Sequence, residues 1–106
     1  MAEAEIIKSI KEYIHLLNKK GYEINKAFLY GSFATGNIHD ASDIDLMLIS
    51  DSLNESDIGK KSLAWSLTRK IDPRIEPYLI SQDRFKNDDS SPLLEMVRNE
   101  GVEISF

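Results

Sequence analysis

Cysteine is absent from this 106-residue chain. Disulfides and zinc–thiolate sites are therefore excluded, and a reducing cytoplasmic compartment is the expectation. Long apolar runs are absent too, since none approaches the roughly 18 residues that a membrane span needs. Residues 1–12 lack an apolar signal core and hold Glu3, Glu5 and Glu12, so no secretion signal is read there. Excess positive charge is also missing: 13 Lys and Arg stand against 18 Asp and Glu, a net charge of −5. A nucleic-acid binder ordinarily shows a basic stripe. Here the cations fall in small pairs, Lys19-Lys20, Lys60-Lys61 and Arg69-Lys70, each read as a solvated helix face. Long nucleic acid is disfavoured as the main partner.

What remains is an ordinary globular composition, 42% hydrophobic and 29% charged. The length suits one domain over residues 1–106. No repeat, low-complexity tract or linker interrupts it.

Helical spacing of Ile6, Ile7, Ile10, Tyr13, Ile14 and Leu17 predicts an amphipathic helix over residues 3–20, stopped by Gly21. Residues 26–30 read as a strand covered on both faces. Residues 43–50, Asp-Ile-Asp-Leu-Met-Leu-Ile-Ser, read as a second strand. One of its faces carries Asp43, Asp45, Met47 and Ile49; the other carries Ile44, Leu46, Leu48 and Ser50. Both are apolar beyond the aspartates, so the strand is expected to be central. A second helix is predicted over residues 56–71, capped by Ser52 with Glu55 or by Ser56. Its expected stripe is Ile58, Leu63, Ala64, Leu67 and Ile71, with Trp65 off the stripe and packed against a neighbour or partner. Residues 74–80 read as a third strand, with Pro77 pointing to an edge or a bulge. Residues 81–91 read as a loop. Ser91-Pro92 opens a last helix, an N-cap followed by Pro at the first helical position, which Gly101 stops. Residues 102–106 read as a short final strand. The fold class is α/β (α+β), a small mixed sheet of about four strands flanked by helices.

Two stretches carry chemistry. Gly31-Ser32-Phe33-Ala34-Thr35-Gly36 is a small-residue turn whose backbone N–H groups and Ser32 hydroxyl can hold phosphate. Ser42-Asp43-Ile44-Asp45-Leu46 follows after a short polar linker. Asp43 and Asp45 are two apart, hence on one strand face with backbones ~7 Å apart. Two like charges on an apolar strand are costly unless a cation sits between them. Oxygen-only ligation suits Mg²⁺ or Mn²⁺. Glu76 is the candidate third carboxylate, since it sits early in the third strand in an apolar context. A salt bridge from Glu76 to Arg74 or Arg69 is the other reading.

The combined motif resembles the signature of the DNA polymerase β-like nucleotidyltransferase superfamily, and the chain as a whole resembles its minimal nucleotidyltransferases. The resemblance implies that fold, and transfer of a nucleoside monophosphate from an NTP (AMP from ATP is the expectation) to a hydroxyl, with pyrophosphate leaving. It implies that Asp43, Asp45 and Glu76 are catalytic metal ligands, with Glu76 ligating the metal or accepting the hydroxyl's proton. It also implies that Gly31 and Ser32 contact the triphosphate. Phe33 and Thr35 stand where members often carry basic residues. Minimal members are frequently paired with a small helical HEPN protein as an antitoxin–toxin module, so a HEPN partner that is modified on a hydroxyl is expected. Two alternatives stay open: a catalytically weak binding module that neutralises a toxin by contact, and transfer to a small molecule such as an aminoglycoside.

Overall fold

The computed structural model describes residues 3–31, 43–54 and 56–106. Helix α1 spans Glu3–Lys19 and strand β1 spans Ile24–Tyr30. Strand β2 follows at Ile44–Ser50 and helix α2 at Ile58–Leu67, extended by a 3₁₀ turn at Thr68–Lys70. Strand β3 is Ile75–Ser81, helices α3 and α4 are Gln82–Asn87 and Pro92–Glu100, and strand β4 is Val102–Glu103. The strand order is β3-β2-β1-β4. β2 runs parallel to β3 and antiparallel to β1, and β4 runs antiparallel to β1. This is the expected mixed sheet, with β2 central and the Pro77 strand at an edge.

The alternation of β2 separates two apolar clusters. Ile44, Leu46 and Leu48 join Ile6, Ile10, Tyr13, Ile14 and Leu17 of α1 and Ala64 and Leu67 of α2 on one face. Met47 and Ile49 join Ile80 and, from α4, Leu94 and Val97 on the other. Each buried aliphatic side chain contributes about 1.5–3 kcal/mol relative to leaving it in water. A frame shift of one residue along β2 would turn both sets away from their clusters. The register Leu46↔Leu29 and Leu46↔Pro77 is therefore set by packing.

Three expectations are corrected. Residues 81–91 are not all loop: Ser81 caps α3, its hydroxyl accepting from the Arg84 N–H at 3.1 Å. Side chains there are polar because α3 buries none of its residues fully. The cap of α2 is Asp57, whose carboxylate accepts from the Lys60 N–H at 2.9 Å; Ser56 is instead turned to Asn54, and Glu55 lies outside the described residues. The predicted stripe of α2 also fails in part. Ala64 and Leu67 are buried, but Ile58 is 75% exposed and Leu63 46% exposed. Ile58 and Ala64 are six residues apart, about 240° round the helix, so they cannot share a face. The last helix starts as expected, with the Ser91 hydroxyl accepting from the Leu94 N–H at 3.3 Å and Pro92 following.

One buried hydrogen bond ties α1 to α2. The Tyr13 hydroxyl donates to the Ala64 carbonyl at 2.6 Å. Thr68 N–H turns to the carbonyls of Ser66 and Trp65 as the helix tightens, leaving Ala64 O to Tyr13. Tyr13→Phe removes the donor from a buried acceptor and is expected to cost about 1–3 kcal/mol of unfolding free energy. Urea denaturation of the two proteins measures it.

Candidate functional site

The pairing of β2 places its N-terminal end between β1 and β3. Asp45 lies opposite Tyr30 on β1 and opposite Glu76 on β3. Tyr30, Asp45 and Glu76 thus form a row across three strands, on the face that carries Met47 and Ile49 further along. Asp43 immediately precedes β2, and the Ile44 N–H donates to the Arg74 carbonyl at 2.8 Å, which holds this end of the strand against β3.

The carboxylates feel one another. Glu76 is hydrogen-bonded to Asp43, and this bond, burial, and the negative charges of Asp43 and Asp45 together push its carboxyl up to about 7. Burial, then the charge of Asp43, raises Asp45 above the usual carboxylate range. Burial, with Asp45, Tyr78 and Glu76 alongside, pushes the Tyr30 phenol up to about 12, so it stays a neutral hydroxyl. The Arg74 guanidinium turns to Asp72. Its Nη2 meets Asp72 Oδ2 at 2.7 Å and its Nε meets Oδ1 at 3.1 Å, holding Asp72 below the usual range.

Gly31 closes the other side. Its φ is +73°, in the left-handed region, and a Cβ there would overlap the Asp45 carboxylate and stand 3.2 Å from its Cγ. Only glycine lets the chain leave β1 this close to Asp45. Ser32, Phe33, Thr35, Gly36 and Ser42, the rest of the expected turn and its linker, lie outside the described residues.

The sequence thus places Asp43, Asp45, Glu76 and Gly31 in positions that the fold brings together. The donor set is all oxygen and densely negative, which suits a hard divalent cation in kind. Among the described residues no group of three or more Asp, Glu or His side chains is disposed around a common metal position. Tyr30 and Tyr78, beside the carboxylates, escaped the sequence reading. Their place follows only from strand register, which no single-strand pattern carries. No helix among the described residues is long and apolar enough to cross a membrane.

A mixed four-stranded sheet with its acid residues gathered at one end of the central strand defines a small α/β class shared by nucleotidyltransferases. The family described as polymerase beta, nucleotidyltransferase, matches residues 8–101, and the chain belongs to it. No curated protein matches the chain. Among solved structures, the chain is similar to a candidate nucleotidyltransferase from Sulfolobus solfataricus, with 18% identity and a TM-score of 0.63, covering 95% of this chain and 82% of that one. It is also similar to a toxin–antitoxin structure with AMP-PNP, with 23% identity and a TM-score of 0.58, covering 99% of this chain and 73% of that one. At these identities the likeness is one of fold.

A raised Glu76 carboxyl binds its proton more tightly in the folded chain than in the unfolded one. Its contribution to stability is complete below the ordinary carboxyl value of 4.5 and is lost as pH rises through about 7. In metal-free buffer, wild type is therefore expected to lose melting temperature relative to Glu76→Gln between those values. Parallel thermal melts across that window check it. Gly31→Ala is expected to cost about 1–2 kcal/mol or more, from the positive φ and the overlap with Asp45. Chemical denaturation reads it.

Proposed function

We propose that this nucleotidyltransferase moves AMP from ATP to a hydroxyl on a partner protein, and that it works as the antitoxin to a helical, HEPN-type toxin. The observation that carries the reading is the meeting of Asp43, Asp45 and Glu76 from two parallel strands beside Gly31. The likeness to a toxin–antitoxin structure with AMP-PNP supports the choice of nucleotide and of partner.

In this reading Asp43 and Asp45 would hold Mg²⁺ or Mn²⁺, with Glu76 the third carboxylate. When bound, such an ion supplies charge neutralisation for the phosphates and completes its shell with waters and phosphate oxygens. Gly31 allows the backbone to approach the triphosphate, and Ser32 follows it in sequence to donate from its hydroxyl. The acceptor oxygen attacks the α-phosphorus, the bond from that phosphorus to the bridging oxygen breaks, and pyrophosphate leaves. The acceptor's proton goes to Glu76. Tyr30, neutral at working pH, stands by as a hydroxyl beside Asp45.

One observation favours a second reading. Phe33 and Thr35 stand where members of the family often carry basic residues, as they would in a chain that keeps the fold and neutralises its partner by contact alone.

Label transfer from α-labelled ATP to a co-expressed partner separates the two. Asp43→Asn and Asp45→Asn are each expected to lower transfer at least about 100-fold, the scale of losing a group that stabilises transition-state charge. Retention of full transfer by both variants would remove the metal-site account. Loss of transfer with neutralisation intact would favour contact.

A further inference from the structure

Residues 58–70 carry Lys60, Lys61, Arg69 and Lys70 and no carboxylate, in a chain whose net charge is −5. The rest of the molecule is therefore more acidic than the whole, and α2 with its 3₁₀ turn is a local positive surface. Its apolar side chains are turned outward as well. Ala64 and Leu67 face the core, so positions 58, 62, 65, 66 and 69 fall on the opposite side. Ile58 and Trp65, 47% exposed, stand there, with Leu63 at the flank.

Trp65 separates two hollows. One, of about 190 Å³, runs over the edge of β3 between Lys61 and Pro77. The other, of about 370 Å³, lies between Trp65, Arg69 and Pro73. Among the described residues, neither Lys61 nor Arg69 makes an ion pair. The second hollow ends at Pro73, next to Arg74, whose carbonyl holds Ile44.

We propose that the outer face of α2, with Trp65 at its centre and Lys61 and Arg69 at its rim, docks an acidic, apolar-centred patch of the partner protein. An exposed tryptophan flanked by cations and small serines is the composition of an interface anchor with a polar rim. Charge decides the occupant. A second copy packed face to face would set Lys61 and Arg69 against themselves. A nucleic acid would be repelled along its length by a chain of net charge −5, and exposed Ile58 and Leu63 offer aliphatic contact that bases reward little. A local carboxylate patch around an apolar centre satisfies both the cations and the aliphatic groups. The identity of the partner rests on the transfer reading above; the docking face does not.

Trp65 is the only tryptophan, so its fluorescence reports on this face directly. The chain is titrated with its purified helical partner, without nucleotide. The expected result is a blue shift of Trp65 emission and a severalfold loss of acrylamide quenching. Trp65→Ala, read by calorimetry, is expected to weaken the complex about 30-fold. Lys61→Glu with Arg69→Glu is expected to weaken it about tenfold or more and to reduce its salt dependence. Affinity for Mg·AMP-PNP should stay unchanged in both of these variants, and Asp43→Asn should keep docking while losing transfer. Absence of binding, binding that leaves Trp65 open to quencher, or binding indifferent to charge reversal would overturn the proposal. So would shielding of Trp65 by a single-stranded oligonucleotide in place of the partner, or by concentration-dependent self-association. If Asp43→Asn keeps full transfer while Trp65 is still shielded, the transfer account fails and the docking face stands.

Discussion

β2 is apolar on both sides because it is covered on both sides, and that double burial is what the rest of the molecule depends on. Ile44, Leu46 and Leu48 are held by α1 and α2, and Met47 and Ile49 by α4 and β3. With the strand locked in rotation and in register, Asp45 has one direction to point. The parallel pairing with β3 then brings Glu76 alongside it, and the antiparallel pairing with β1 brings Tyr30 and Gly31. The acidic end is an outcome of core packing. The helices that make the core therefore position the chemistry without contributing a side chain to it.

The gathered carboxylates leave the fold with an electrostatic problem that it solves with a proton. Hydrogen bonding toward Asp43, burial, and the negative charges of Asp43 and Asp45 push the Glu76 carboxyl up to about 7. A divalent cation would answer the same repulsion and would displace that proton, since a metal ligand must give up its proton to bind. In the proposed function Glu76 would be the group that changes role on ion binding, and affinity for the ion would depend on pH near neutrality.

Much of this was legible in the chain. The alternation at residues 43–50 gave the face of both aspartates, and the unbroken apolar character gave the central position of the strand. Pro77 marked the edge: the Ile44–Arg74 bond directs even-numbered residues of β3 toward β2, so the missing N–H of Pro77 faces outward. Other features were not legible. α3 has no residue fully buried, so no apolar period announces it. The start of α2 was misplaced because Ser52, Ser56 and Asp57 all have capping chemistry, and only tertiary packing selects among them. With Ala64 and Leu67 packed inward, helical spacing leaves Ile58 and Leu63 exposed. The proximity of Tyr30 and Tyr78 to the acids depends on pairing between strands far apart in sequence. Ser32, central to the phosphate reading, lies outside the described residues, so that part of the site rests on the motif.

The central proposal is that Asp43, Asp45 and Glu76 act as one cation site, and that Glu76 gives up its proton when the ion binds. Calorimetric titration of the metal-free chain with Mn²⁺ at pH 6, in buffers of different ionisation enthalpy, counts protons released per ion bound. With the Glu76 carboxyl near 7, about one proton should leave per Mn²⁺, and Glu76→Gln should abolish that release while Asp43→Asn weakens binding. Mn²⁺ binding without proton release, or equal binding by Asp43→Asn, would contradict the account.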